Sequence, residues 1–326
     1  VWRRPLVGSG IDCGGNCLRD LQNKPQRFRG LEKLPGFWFQ RRVLGRNTPL
    51  LASFKLTYRC NLSCKACPFH RRASEKNGHM SWQTATLALD ELHRRGTLIV
   101  VFEGGEPFLW DDGNHTLHDL IAYAQKRFLR VVVTTNGTFP LDCGADTVWV
   151  SLDGLRETHN RLRSGSYSGI LENLGATTHP RVMIHYTMNR ENWRDLAPLC
   201  TFLETIPTVK GITVQLFYPY DQGEAALSLS PEERKLALES AIRLKKEFPL
   251  INSAGVLRRM IDNSWSCRDD LLINVDPDGT ITQGCYVKSR GDIRCRECGF
   301  TPVAEASEAL NLKPASLLAG WEAYLA

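Results

Sequence analysis

Three cysteines in the segment YRCNLSCKACPFH, residues 58–70, have the residue type and the spacing to bind metal. This first cysteine group is Cys60, Cys64 and Cys67. A structural zinc site uses four protein ligands, and His70 is the nearest candidate for the fourth. A cubane iron–sulfur cluster also has four irons to ligate, so three thiolates would leave one iron open for a substrate or a cofactor. The spacing alone leaves both interpretations open.

A second cysteine group lies near the end of the chain and has four members. Cys267 and Cys285 have seventeen residues between them, and the pair Cys295-Arg-Glu-Cys298 follows. Four thiolates satisfy either tetrahedral zinc or one fully coordinated 4Fe-4S cluster.

The chain has eleven cysteines in all. No secretory signal is visible in the opening residues, so reduced thiolates that bind metal are favoured over disulfides. Cys13 and Cys17 are expected to be free thiols, with redox or metal chemistry as the alternative.

Six segments rich in β-branched and aromatic residues alternate with amphipathic helical segments from residue 51 onward. Ser81 is predicted to cap the first of these helices. Parallel strands need crossover helices, and right-handed connections wind them in one direction. The sequence therefore predicts an α/β fold, a partial (β/α)6 TIM-like barrel. Its predicted strands are residues 50–57, 97–107, 130–137, 146–154, 181–189 and 211–219.

Polar motifs follow these strands at the end of the barrel where barrel enzymes carry their chemistry. The first cysteine group follows the first strand. GGEP (104–107), TTNG (134–137), SLDG (151–154) and HYTMN (185–189) follow the next four. The carboxyl ends of parallel strands share one edge of the sheet, so we expect these motifs to meet there.

The part of the chain after the sixth strand is predicted to form a second unit. A capping box at residues 230–233 predicts a helix that ends at about Phe248. Residues 271–285 are predicted to form a β-hairpin that turns at Asp276-Pro277-Asp278-Gly279 and joins the second cysteine group. The predicted division is a basic N-terminal extension (1–49), the barrel (50–228), and a helix with a small C-terminal β-hairpin and cysteine-rich cluster domain and a C-terminal helix (229–326).

The C-x3-C-x2-C spacing after the first barrel strand resembles the motif of the radical S-adenosylmethionine (radical SAM) superfamily, and GGEP at the next strand end strengthens the resemblance. It covers about residues 50–220. It implies that the first cysteine group binds a 4Fe-4S cluster whose open iron is chelated by the amino and carboxylate groups of S-adenosyl-L-methionine. An electron from the reduced cluster would then cleave the sulfur to C5′ bond, and the 5′-deoxyadenosyl radical would abstract hydrogen from the substrate.

The same resemblance implies a set of cofactor-binding residues. The glycine motif binds the amino group of the methionine moiety, because glycines allow close approach of the backbone and a carboxylate pairs with an ammonium. The polar residues of TTNG and SLDG are expected to contact the ribose or the methionine carboxylate, and turn capping is their alternative role. Asn189 is a further candidate. The predicted cofactor-binding residues are Gly104, Gly105, Glu106, Thr135, Asn136, Ser151 and Asp153.

Two further features are interpreted through the resemblance. Ala66 stands where many members carry an aromatic residue that packs on adenine, and Phe69 is the candidate replacement. The second cysteine group consists of a cysteine, a predicted β-hairpin, a cysteine near the hairpin's end and then a C-x2-C pair. This order resembles the auxiliary-cluster twitch domain, which is shorter than the related SPASM domain. It implies that Cys267, Cys285, Cys295 and Cys298 bind an auxiliary 4Fe-4S cluster.

The composition limits the partners. The chain has 326 residues, and its apolar runs are far shorter than the roughly 20 residues that span a bilayer. Residues 1–50 hold ten Lys/Arg against three Asp/Glu, and the rest of the chain is balanced at 31 against 32. This basic segment could touch acidic lipid, nucleic acid or a charged partner, or be a solvated arm that packs a few aromatics on the barrel.

The resulting prediction is a cytoplasmic radical SAM enzyme, of oxidoreductase or transferase type, with two 4Fe-4S clusters. The expected partners are a peptide or small-molecule substrate and a low-potential electron donor of the flavodoxin or ferredoxin type. Nucleic acid is not expected as a partner, and membrane contact is limited to a peripheral one through residues 1–50. One alternative is modification of a lipid or other membrane-associated substrate through that segment. The alternative from another class is a zinc or iron–sulfur binding protein without catalysis.

Overall fold

The structure is a computed structural model, and it describes residues 30–65, 67, 69, 78–220, 224–288 and 292–325. The predictions made for Cys13, Cys17, Ala66 and His70 lie outside the described residues. The basic N-terminal extension is described from residue 30 onward.

Strands of the described residues include all six predicted strands and both strands of the predicted hairpin. Their ends differ from the predicted ones by up to three residues, mainly because the strand-end motifs turn out of the sheet. The strands are β1 (Leu51–Thr57), β2 (Ile99–Gly104), β3 (Arg130–Thr135), β4 (Thr147–Ser151), β5 (Val182–Met188), β6 (Val209–Leu216), β7 (Leu272–Val275) and β8 (Ile281–Gln283).

The eight strands form one sheet in the order β6-β5-β4-β3-β2-β1-β7-β8. Neighbours from β6 to β7 are parallel, and β7 pairs with β8 in antiparallel fashion. Within the described residues the edge strands β6 and β8 do not pair, so the sheet is a partial barrel, as predicted. The hairpin extends the barrel sheet itself, because Leu51 of β1 pairs with Leu272 of β7. The division of the chain into barrel and C-terminal unit stays a prediction.

The helices cover the outer face of the sheet and the base of the barrel. None of those within the described residues combines the length and apolar character that a bilayer crossing requires. The helices are α1 (Lys33–Arg42), α2 (Trp82–Arg94), α3 (Leu117–Gln125), α4 (Arg156–Leu162), α5 (Tyr167–Ala176), α6 (Leu196–Leu203), α7 (Pro231–Leu244), α8 (Ala254–Arg259), α9 (Thr301–Leu310) and α10 (Pro314–Tyr324).

Two predicted helix starts are confirmed by their caps. The Ser81 hydroxyl accepts from the Thr84 amide at 3.1 Å. The Ser230 hydroxyl accepts from the Glu233 amide at 3.2 Å, and the Glu233 carboxylate accepts from the Ser230 amide at 2.9 Å. Helix α7 ends at Leu244, earlier than predicted, and the chain continues to residue 248 as a hydrogen-bonded turn.

Side chains alternate along each strand, so the sheet has two differently filled faces. On β1, Phe54 and Leu56 belong to the main core beneath the helices, whereas Ser53, Lys55 and Thr57 lie on the opposite face, inside the barrel. The base of the interior is apolar. There, strand residues pack against α1, α9 and α10, namely Ile99, Val101, Val132, Trp149 and Met183 against Phe37, Leu310 and Ala323. The strand-end motifs lie at the other end of the barrel.

Candidate functional site

Gly104 and Gly105 let the end of β2 pack directly against the backbone that leads into the first cysteine group. The Gly105 amide donates to the Thr57 carbonyl at 2.7 Å, and the Glu106 amide donates to the Arg59 carbonyl at 2.8 Å. A Cβ at Gly105 would lie 2.1 Å from the Arg59 carbonyl oxygen. A Cβ at Gly104, whose φ is +126°, would lie 2.5 Å from the Thr57 carbonyl oxygen. Only glycine fits at these two positions.

Glu106 joins the ends of β2 and β3. It is fully buried, and its carboxylate accepts from the Thr135 hydroxyl at 2.8 Å and from the Asn136 amide at 2.7 Å. Burial raises the pKa of Glu106 to about 7, although these hydrogen bonds act in the opposite direction. In this structure the carboxylate that was predicted to meet a ligand's ammonium is hydrogen-bonded by the chain's own TTNG motif.

Stability is expected to depend on pH through Glu106. Because its pKa is raised from 4.5 to about 7 on folding, the folded state binds more protons than the unfolded state in that interval. The free energy of unfolding contributed by this group is therefore fully present below pH 4.5, and up to about 3 kcal/mol is lost as the pH rises through 7. Urea unfolding of the wild type and of Glu106→Gln, measured from pH 4.5 to 7.5, checks this.

The variant should be less stable at low pH, because the single side-chain oxygen of glutamine replaces two oxygens that accept from three donors, the Thr135 hydroxyl and the Asn136 and Phe108 amides. Its stability should nevertheless fall less steeply with pH. Equal slopes for the two proteins would show that Glu106 is ionised with an ordinary pKa in the folded state. Glu172→Gln, a carboxylate on helix α5, serves as the matched control, and its slope should equal that of the wild type.

Asn136 holds the first cysteine of the group. Its side-chain amide donates to the Asn61 side-chain oxygen at 2.8 Å and lies 3.7 Å from the Cys60 sulfur. Asn61 in turn donates to the Thr138 hydroxyl at 2.8 Å. The end of β3 therefore supplies a side-chain scaffold to the cysteine segment, in addition to the backbone contacts from β2.

The buried carboxylate of Asp153 and the partly buried guanidinium of Arg163 form an ion pair beside the second cysteine of the group. The Arg163 Nε donates to one oxygen of Asp153, and the other oxygen accepts from the Thr187 amide at 2.7 Å. Burial raises the pKa of the Cys64 thiol, whereas the charge of Arg163 and a hydrogen bond from it favour the thiolate. Arg163 was not among the residues predicted from the sequence. The sequence signal for it is its position just after α4, a short helix that follows the SLDG motif at the end of β4.

The remaining predicted residues have different surroundings. Ser151 is buried at the end of β4, where it pairs in register with His185 of β5. Asn189 caps a turn, since its side-chain oxygen accepts from the Glu191 amide at 2.9 Å. Phe69 is buried and stacks on Tyr58, with ring centroids 5.7 Å apart.

The first cysteine group has the donor chemistry that an iron–sulfur cluster requires. Burial raises the pKa of Cys60 as it does that of Cys64, and a hydrogen bond from the Leu62 amide favours the Cys60 thiolate. The three thiols act on one another electrostatically in sequence, Cys60 with Cys64 and Cys64 with Cys67. Thiolates are the ligands of such clusters, and amide or cationic donors to their sulfur stabilise the charged form.

The four thiols of the second cysteine group influence one another electrostatically. Burial, together with the charges of the other three members, led by Cys298, raises the pKa of Cys267 to about 12. Burial also raises the pKa of Cys298 to about 11. Within the described residues, no three His, Cys, Asp or Glu side chains are close enough together to hold a single metal ion.

Three members of the second cysteine group, Cys285, Cys295 and Cys298, lie on the segment that follows β8, and Cys267 precedes β7. Cys285 follows β8, and at the other end the Gly299 carbonyl accepts from the Leu216 amide of β6 at 3.2 Å. A Cβ at Gly299 would lie 2.7 Å from the Leu216 carbonyl oxygen, so the segment packs closely on that edge. From inside the barrel, the Lys55 ammonium lies 4.6 Å from the centre of the Tyr286 ring. Tyr286, which directly follows Cys285, therefore adjoins the barrel interior.

Comparison with known proteins gives a consistent result for the barrel. Residues 54–203 match the family model described as the Radical SAM superfamily. The chain is 30% identical over 188 residues to the Fe-coproporphyrin III synthase of Methanosarcina barkeri, which covers 54% of this chain and 45% of that protein. It is 26% identical over 284 residues to the AdoMet-dependent heme synthase of the same organism, covering 79% of this chain and 78% of that protein. The match thus spans less than half the length of the first relative.

The fold has counterparts among solved structures. Streptococcus suis SuiB bound to its precursor peptide SuiA superposes with a TM-score of 0.59 at 14% identity, covering 97% of this chain and 74% of that chain. At this identity the likeness concerns the fold alone. It agrees with the partial barrel described above.

Proposed function

Because the chain belongs to the radical SAM superfamily of enzymes, we propose that Cys60, Cys64 and Cys67 hold its catalytic 4Fe-4S cluster and that S-adenosyl-L-methionine binds there. When bound, these two groups supply a 5′-deoxyadenosyl radical that removes a hydrogen atom from the substrate. The observation that carries the proposal is the fixing of the cysteine segment from both neighbouring strand ends, by the backbone of Gly105 and by the side chain of Asn136.

The chain's own residues would bind and orient the cofactor. The half-buried backbone of Gly104 and Gly105 is the proposed site for the methionine amino group. Glu106 would act indirectly, by accepting hydrogen bonds from Thr135 and Asn136 of the TTNG motif. Thr135, Asn136, Ser151 and Asp153 remain the proposed contacts to the ribose and the methionine carboxylate. To these we add Arg163, because its guanidinium is held by Asp153 beside Cys64 and can attract a carboxylate.

The second cysteine group is proposed to hold an auxiliary 4Fe-4S cluster on Cys267, Cys285, Cys295 and Cys298. Four thiols that interact electrostatically support it, as does the contact of Tyr286, the neighbour of Cys285, with Lys55 inside the barrel. A site there would exchange electrons with a substrate in the barrel. A flavodoxin- or ferredoxin-type electron donor and a cytoplasmic location belong to the same proposal.

Among substrates, we propose a tetrapyrrole before a peptide. The match to the AdoMet-dependent heme synthase extends over 79% of this chain, far beyond the catalytic segment, which supports a small-molecule substrate of that class. A peptide is the alternative, because the fold is shared with a protein solved with a precursor peptide. Titration of the anaerobic protein with iron coproporphyrin III should shift the absorption band of the porphyrin, and an unshifted band would favour the peptide.

The proposed chemistry is tested by product analysis. Protein reconstituted anaerobically with iron and sulfide should bind about eight irons per chain, four for each cubane. After reduction with dithionite and addition of S-adenosyl-L-methionine, it should form 5′-deoxyadenosine and methionine. Bound zinc without iron, or bound iron without 5′-deoxyadenosine, would favour a metal-binding protein without this catalysis.

A further inference from the structure

The loop Cys295–Cys298, which carries half of the second cysteine group, accepts hydrogen bonds from two side chains distant in sequence, those of Arg234 and Asn263. Asn263, which follows α8, directs its side-chain amide at three carbonyls of this loop. The amide nitrogen lies 3.1 Å from the Cys295 oxygen, 2.8 Å from the Arg296 oxygen and 3.1 Å from the Cys298 oxygen.

Arg234 of α7 supplies further hydrogen bonds to the same loop. Its Nη2 donates to the Cys298 carbonyl at 2.7 Å and to the Asn263 side-chain oxygen at 2.8 Å, while its Nε donates to the Met260 carbonyl at 2.7 Å. The guanidinium thus links the loop, the asparagine and the end of α8 in one network.

The conformation of Asn263 is unusual for a residue that serves only as a linker. Its φ is +55°, in the left-handed region, where asparagine is tolerated and glycine is favoured. Asparagine here retains a side chain whose oxygen also accepts from the Trp265 indole at 3.2 Å. Asn263 therefore combines a left-handed backbone with a side-chain amide whose nitrogen and oxygen both take part in hydrogen bonds.

We propose that Arg234 and Asn263 are positioning residues that hold the Cys295–Cys298 loop ready to bind metal. With its carbonyls held by these two residues, the loop presents Cys298 to the metal side, where the Phe300 amide also donates to the Cys298 sulfur. A loop fixed before binding loses less conformational entropy when the metal arrives. The inference rests on the proposed function in one respect, since it takes the second cysteine group to be a metal site.

The experiment isolates the second cysteine group. In a background with Cys60, Cys64 and Cys67 all replaced by alanine, the second group is the remaining cysteine group with four thiols to hold a cluster after reconstitution with iron and sulfide. Asn263→Gly removes the side-chain amide and is compatible with the left-handed backbone. Arg234→Gln removes the positively charged guanidinium. Residues that orient metal ligands typically change affinity by about 10- to 100-fold, so each variant should release iron to a chelator at least about tenfold faster.

Three comparisons separate positioning from a general loss of structure. Leu312→Gly is the matched control, because Leu312 has φ +57° and an exposed side chain, and its iron release should equal that of the background. Arg234→Lys, which keeps the charge, should restore part of the retention. The electron paramagnetic resonance (EPR) spectrum of the reduced cluster should change in Asn263→Gly and stay unchanged in Leu312→Gly.

The outcomes distinguish the two proposals. If the background protein binds no metal, the auxiliary cluster is wrong and the positioning role falls with it. If it binds zinc, the cluster is wrong and the positioning role is judged by the rate of zinc release. If it binds iron and the Asn263 and Arg234 variants release it as slowly as Leu312→Gly, the positioning role alone is wrong.

Discussion

Replacing Cys64 with alanine is expected to abolish 5′-deoxyadenosine formation and to remove the iron of the first cysteine group. The group has only three thiolates, so the loss of one leaves two ligands for a cluster of four irons. Even residues that merely orient metal ligands change activity by about 10- to 100-fold, and the loss of a ligand should exceed the upper end of that range. Iron per chain and product after dithionite reduction are the two measurements.

Cys200→Ala is the matched control for this prediction. Cys200 is a buried thiol of α6 in the main core, away from both cysteine groups. Its replacement should lower stability slightly and leave iron content and product unchanged. If Cys64→Ala retained the iron and the product of the wild type, the assignment of the first cysteine group would be wrong.

Replacing Gly105 with alanine is expected to have the second largest effect. The new Cβ would lie 2.1 Å from the Arg59 carbonyl oxygen and 2.7 Å from the Tyr58 carbonyl carbon, so this backbone must move by about 1 Å to reach ordinary contact. Arg59 immediately precedes the first cysteine of the group. A displacement of that size in a catalytic segment costs about 100-fold in rate, and the same loss is expected for 5′-deoxyadenosine formation.

Stability measurements complete the test of Gly105. Backbone displacement by an added methyl group should lower the free energy of unfolding by at least about 1–3 kcal/mol. Gly175→Ala in α5 is the control, because nothing lies within 4 Å of its Cβ position, and it should be neutral or stabilising by up to about 1 kcal/mol. Equal activity in the two variants would mean that close packing of β2 on the cysteine segment is unimportant.

The barrel was predictable from the sequence because its signals are local. Alternation of apolar residues set the strands, and Ser81 and Ser230 marked helix starts through hydrogen bonds to residues three positions away. The order of strand-end motifs followed from parallel topology. The signal for the hairpin is also local, because the turn residues Asp276-Pro277-Asp278-Gly279 predict it.

The contacts that fix the site were not predictable in the same way. The pairing of the hairpin with β1 depends on an edge more than 200 residues earlier in the chain, and no local pattern indicates which edge is free. Arg163, Arg234 and Asn263 act through distant partners, and a lone arginine or asparagine has many possible roles. The binding role of Glu106 stays a prediction, and its burial and its hydrogen bonds from Thr135 and Asn136 could not be foreseen from the GGEP motif alone.

The most direct test of the central claim is whether S-adenosyl-L-methionine coordinates a cluster held by the first cysteine group. The measurement is electron–nuclear double resonance on the reduced protein with the cofactor labelled with ¹⁵N at its amino group. We predict a resolved ¹⁵N coupling to the cluster in the wild type and its absence in Cys64→Ala. A fully reduced cluster without ¹⁵N coupling in the wild type would contradict an iron left open by the polypeptide.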